Sequence, residues 1–198
     1  MHLTASSIWS VACTAILLQN VIFYFMLCSN DYFKAVNNSV SGFIYGAGIT
    51  IFTTLASALA YPLNQYVLIH NLKYLSPFAF VFVLCFLEVL FEISLLKFAP
   101  KFRKSLGKLL SASAFNCAVL GLVFINVQVG TRGFFGTVFY GFCAGLGFIL
   151  AFFIIAKALE RASHSSPPAA FRGLPIALVT ASIISLGFMG FSSIQIPY

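Results

Sequence analysis

Acidic side chains are nearly missing from this chain: four Asp or Glu stand against 11 Lys or Arg in 198 residues. Charged residues make up 8% of the sequence, where a soluble domain carries roughly a quarter. That shortage excludes a water-facing surface over most of the length. Close-set metal motifs are missing too. The five cysteines, Cys13, Cys28, Cys85, Cys117 and Cys143, form no CxxC or similarly tight spacing, so none of them makes a self-contained site. There is no Walker loop, dinucleotide fingerprint, HExxH helix or catalytic triad. His2, His70 and His164 fall in terminal or loop positions and suggest no site. The formal charge of +7 is not arranged as a stripe for nucleic acid; the basic residues occupy short gaps between apolar runs.

What is present is hydrocarbon. Hydrophobic residues make up 61% of the chain, 24 of them Phe. Six stretches, at about 7–27, 39–60, 74–96, 106–127, 134–158 and 174–194, are long enough to cross a bilayer, which takes about 20 helical residues. Unpaired backbone groups are too costly in lipid for anything but helices here, and the alternation of a transmembrane barrel is absent. The expected fold is an all-α integral membrane protein of six helices in one domain, residues 1–198. The first stretch lacks a basic start and a small-residue cleavage site, so it reads as a helix and not as a signal peptide.

Orientation follows from the basic residues. Lys34, Lys97, Lys101, Arg103, Lys104, Lys108, Lys157, Arg161 and Arg172 lie on one side, against Lys73 and Arg132 on the other. The bias puts both termini on the non-cytoplasmic side. The densest basic loop, Lys97 to Lys108, divides the spans three and three, at about 1–98 and 99–198. An odd number per half makes related halves inverted, with a site near the midplane between them.

Asn116 and Cys117 stand in the middle of the fourth apolar run, where polar groups need partners. Their apolar surroundings predict that both are buried. Cys28 ends the first run of the first half, and Cys117 lies in the first run of the second. For both to approach one midplane site, a span must be interrupted at a cysteine position, and Ser29-Asn30-Asp31 offers such a break. Two thiolates are half of what a [2Fe–2S] cluster normally takes, so such a site needs another chain. Taken singly, each cysteine also reads as a small buried hydrophobe. Glu88 and Glu92 are the only acids within a span. Glu92 is near enough to Lys97 to snorkel or pair. Glu88, one turn deeper, is an ion-coupling candidate by default. Gly42, Gly46 and Gly48 on span two, and Gly141, Gly145 and Gly147 on span five, are faces for close helix packing. Ser165 to Gly173 reads as a turn.

Several stretches resemble the RnfA/NqrE family, membrane components of the Rnf electron-transport complex and of the sodium-pumping NADH:quinone oxidoreductase; the likeness is greater to the Rnf branch. They are Phe115-Asn116-Cys117-Ala118-Val119-Leu120-Gly121, Tyr140-Gly141-Phe142, Glu160-Arg161, Pro168 to Gly173, and Ser185 to Ser192. The resemblance covers the whole length and is weaker in the first half. There Asn20 alone stands for the family's Asn-Asn pair, and Met26-Leu27-Cys28-Ser29 lacks the Gly and Pro of its Gly-Leu-Cys-Pro turn.

The resemblance implies a subunit of an ion-translocating ferredoxin:NAD⁺ oxidoreductase in a bacterial cytoplasmic (inner) membrane. It implies that Cys28 and Cys117 ligate an intramembrane [2Fe–2S] cluster shared with a homologous six-helix sister subunit, with Asn116 behind Cys117. Electron relay would be coupled to Na⁺ or H⁺ movement, Glu88 falls at a family acid, and flavin and NAD would sit on other subunits. The residues alone also admit a metal-free six-helix transporter built around Glu88, or a structural subunit that has lost the cluster.

Overall fold

A computed structural model describes residues 5–18, 20, 22–23, 39–69, 73–98, 113, 116–128, 133–164, 168 and 173–192. Every regular element among them is helical. α1 (Ala5–Cys13) widens into a π-helical turn at Thr14–Leu18. α2 covers Ser39–Ile69, α3 Ser76–Phe98, α4 Cys117–Gln128, α5 Gly133–His164 and α6 Leu174–Ser192. A single 3₁₀ turn, Lys73–Leu75, precedes α3.

Local chemistry explains several boundaries. Pro77 and Pro175 stand in the first turns of α3 and α6, where a missing N–H loses no helical bond. Gly173, just before α6, has φ of 85°, a left-handed backbone that suits glycine. The turn expected between Ser165 and Gly173 thus ends in such a residue. Pro62 lies inside α2, a position membrane helices tolerate when neighbours satisfy the freed backbone.

Three helices contain spans long and apolar enough to cross a membrane: Gly42–Tyr66, Ser76–Ser94 and Gly133–Ala162. α4 and α6 are apolar but shorter. Two expected span ends need correction here. α2 runs on to Ile69 instead of stopping near 60, and α5 to His164 instead of 158. The interruption expected at a cysteine position falls within the fourth apolar run, 106–127: Asn116 is outside regular helix and α4 starts at Cys117. The first span is broken as well, at Asn20, beyond the π turn. The break expected at Ser29-Asn30-Asp31 lies outside the described residues.

The core is the crossing of α2 and α5, which run antiparallel. Moving up α2, Gly42 faces Phe152, Gly46 faces Ile149, Thr50 faces Gly145 and Ser57 faces Gly141. Of the glycines expected to allow close packing, Gly42, Gly46, Gly141 and Gly145 therefore line one seam, while Gly147 packs against the π turn at Ala15 and Ile16. Tyr45, Ile49, Phe52, Ala56 and Ala60 are buried on the α2 side, and Tyr140, Phe148, Ala151, Phe152 and Ile155 on the α5 side. α4 packs on α2 and α5, α3 on α2 and α4, and α6 on α5 and the π turn. The apolar spanning stretch of α3 is only 22% buried, against 56% for those of α2 and α5. Phe78, Phe82, Phe86, Val89 and Ile93 of α3 are exposed. Such an outer face suits lipid or another membrane helix.

Candidate functional site

The break at Asn116 leaves the first amides of α4 without intrahelical acceptors, the usual deficit of a helix start. Asn116 supplies them. Its backbone carbonyl accepts from Val119 N at 3.0 Å and Leu120 N at 3.4 Å. Its side-chain Oδ1 accepts from Ala118 N at 3.0 Å. Asparagine is among the preferred residues at this capping position. Its Nδ2 donates to the Tyr45 hydroxyl on α2 at 3.0 Å. A buried amide within a lipid-length segment is thus satisfied by a cap and a neighbouring helix.

Cys117 is the first residue of α4. Its Sγ lies 3.5 Å from Asn116 Oδ1. The residues around it, Asn116, Ala118 and Val119, are buried, while Cys117 itself is exposed. This corrects the expectation of a buried thiol. The cap holds the Asn116 amide inward, and Cys117, though exposed as a residue, donates its S–H to that amide's Oδ1. The sulfur sits at the positive end of a helix dipole, which favours an anion there. Among the described residues, no three His, Cys, Asp or Glu side chains come together as a metal site. Cys28, its expected partner ligand, lies outside the described residues. Cys13 and Cys85 are half-buried and Cys143 is buried.

Asn20 repeats the same device. Its Oδ1 accepts from Ile22 N at 3.1 Å, again two residues on. Its Nδ2 donates to Gly147 O on α5 at 2.7 Å and to Ile16 O at 3.0 Å. The close approach needs Gly147, because a Cβ there would lie 3.0 Å from Ile16 Cα. The two broken segments are therefore anchored crosswise. The one in the first half is tied to α5, the one in the second half to α2.

Beyond the π turn, Ser185 of α6 donates to the Phe23 carbonyl, and Phe188 stacks on Phe23 at 4.1 Å. At the far end of α4, buried Asn126 donates to the Ser57 hydroxyl at 3.0 Å and to Thr137 O at 2.8 Å. It ties α2, α4 and α5 together. Sequence reading missed Asn126 and Tyr45, and saw Asn20 only as a remnant of a family pair. The available signal was the one used for Asn116, a polar group inside an apolar run.

Glu88 is 6% exposed on α3, along the same face as Leu84 and Leu87. One turn on, Phe91 meets Phe52 of α2 edge to face at 5.1 Å. That places the carboxyl on the side of α3 that faces the bundle, where an ionisable group is costly to keep. Glu92 is half-buried and Lys97 exposed. Nothing described brings Glu88 and Cys117 together.

Comparison with known proteins places these features. The family described as "Rnf-Nqr subunit, membrane protein" matches residues 8–195. The A component of an ion-translocating oxidoreductase complex from Edwardsiella ictaluri is 38% identical over 150 residues, 75% of this chain and 77% of that protein. The corresponding component from Aromatoleum aromaticum is 39% identical over 150 residues, with the same coverage. The A component of the Na(+)-translocating ferredoxin:NAD(+) oxidoreductase complex of Acetobacterium woodii is 38% identical over 153 residues, 76% of this chain and 79% of that protein. With a family match over nearly its whole length and relatives above a third identical, this chain belongs to the Rnf-Nqr family of membrane subunits.

Proposed function

We propose that this chain is a membrane subunit of an ion-translocating ferredoxin:NAD⁺ oxidoreductase, in which Cys28 and Cys117 supply two of the thiolate ligands of a [2Fe–2S] cluster. The observation that carries the reading is the exposed Cys117 at a helix start whose capping residue, Asn116, is buried and fixed by hydrogen bonds to Ala118 N and Tyr45. A sulfur on an exposed residue at a capped helix start fits a ligand set completed by a second chain. A homologous sister subunit would bring the other two of the usual four thiolates. When bound, the cluster supplies a one-electron relay inside the membrane. Flavin and NAD belong to other subunits of the complex.

The chain's own contribution is to hold and insulate. Asn116 keeps the turn at Cys117 closed, and the α2–α5 seam behind it excludes water from the inner side. The matched pair of asparagine caps, each anchored to the long helix of the other half, and the antiparallel α2–α5 crossing support an arrangement of two inverted three-helix repeats. Both termini then lie on the non-cytoplasmic side of a bacterial cytoplasmic membrane.

Glu88 is the candidate for coupling electron transfer to Na⁺ or H⁺ movement, because α3 carries this carboxyl into the bundle. Glu88→Gln is expected to keep the iron content of the purified complex while lowering the ions moved per electron in proteoliposomes. Unchanged coupling would remove Glu88 from the role. The reading as a whole is tested by iron analysis and electron paramagnetic resonance on the intact complex. A complex without the intramembrane cluster signal overturns it. A colourless chain that purifies alone and moves ions in a Glu88-dependent way would establish the metal-free transporter instead.

A further inference from the structure

Tyr45 lies far from Cys117 in sequence, and its side chain is fully buried on α2. Its ring is tilted against Phe148 of α5 at 6.3 Å. The next residue, Gly46, brings the α2 backbone against Ile149, whose Cγ1 would lie 2.7 Å from a Cβ placed there. The phenol oxygen is therefore positioned by the close-packed α2–α5 seam. At that position it accepts the Asn116 amide hydrogen at 3.0 Å.

The geometry points to Tyr45 as a positioning residue for the Cys117 sulfur, acting through the Asn116 amide to hold down the reduction potential of the cluster. The inference rests on the function proposed above. An amide that donates from its nitrogen has a more electron-rich carbonyl oxygen, since linked hydrogen bonds polarise one another. That oxygen is the group 3.5 Å from Sγ. Negative density beside a sulfur opposes the addition of an electron to the centre it ligates. The same bond keeps Nδ2 turned toward Tyr45, so the amide presents its oxygen to the sulfur and not its N–H. Hydrogen bonds to cluster sulfurs and the groups behind the ligands are among the protein's means of setting potential. Both effects lower the potential, so removal of the hydroxyl should raise it.

The experiment is a redox titration of the intact complex followed by electron paramagnetic resonance, as a double-mutant cycle. Tyr45→Phe retains the ring packing and removes the acceptor. Asn116→Ser keeps a capping oxygen and removes Nδ2. Tyr45→Phe is expected to retain iron and shift the midpoint potential to a more positive value. In the Asn116→Ser background the same substitution should add no shift, because the two residues act as one unit. The proposal is overturned by an unmoved potential in Tyr45→Phe, by a negative shift, or by an equal shift in the Asn116→Ser background. Iron lost from Tyr45→Phe but kept in Asn116→Ser also overturns it, since both variants remove the same bond. A wild-type complex lacking the signal overturns the underlying reading and this proposal with it. A normal wild-type signal with unshifted variants removes only Tyr45.

Discussion

Cys117→Ser is expected to abolish the intramembrane iron–sulfur signal of the purified complex while leaving the subunit folded and assembled. The two halves of that result have separate causes. The thiol is exposed, so exchanging sulfur for oxygen removes little from the chain's own packing. Surface exchanges of this kind usually change stability by less than about 0.5 kcal/mol. The cap is retained, because Asn116 still binds Ala118 N and Tyr45, and a serine hydroxyl can donate to Asn116 Oδ1 where the thiol did. A [2Fe–2S] centre, by contrast, normally needs all four thiolates, and a serine hydroxyl is a poor substitute. Cys143→Ser supplies the contrast. It places a hydroxyl at a buried position on α5, and should lower thermal stability while the iron remains. If Cys117→Ser kept its iron and spectrum, Cys117 would not be a ligand and the proposed function would fall.

Gly145→Val is expected to be the most damaging single change in the core, costing about 3 kcal/mol or more through overpacking. A Cβ at this position would stand 2.6 Å from Thr50 Cα and 2.8 Å from Thr50 Cβ. The first of these is backbone, so no rotamer change relieves the clash, and α2 and α5 must separate. Separation also lengthens the Thr53 hydroxyl's bond to Gly141 O, 3.3 Å in the intact seam. Membrane helices associate largely by such close packing, with little hydrophobic drive between them in lipid. Gly187 and Gly190 on α6 are the controls, for a Cβ at either meets nothing within 4 Å. Alanine there should leave thermal stability in detergent unchanged or raise it by up to about 1 kcal/mol through helix propensity. Equal loss in all three variants would show that glycine flexibility, and not contact across the seam, sets stability.

Legibility in the sequence depended on the range of the physics involved. Helix in lipid is imposed by the bilayer on any apolar run of sufficient length, and α2, α3, α5 and α6 lie close to where hydropathy puts them. The glycine faces were legible for a similar reason, since a small residue on a membrane helix has few uses besides close approach. The broken spans were less so. Asn116 and Asn20 each interrupt a run that averages as apolar, and a window of about 20 residues cannot register one amide. Their role depends on bonds reaching Tyr45 and Gly147, 71 and 127 residues away. Asn126 was hidden in the same way, its partners Ser57 and Thr137 being on two other helices.

Composition and order of residues alone were enough to establish a membrane protein made of helices and to single out Asn116-Cys117. Those conclusions depend on solvation and local pattern, which each segment carries with it. Which way the thiol faces was decided only in three dimensions. Apolar neighbours in sequence predicted a buried sulfur. The asparagine cap turns the chain at that point, and the bond to Tyr45 of α2 holds the amide side, so Asn116 is buried while Cys117 is left exposed. Burial is a property of what packs around a residue and not of what precedes or follows it, so this orientation had to come from the tertiary structure.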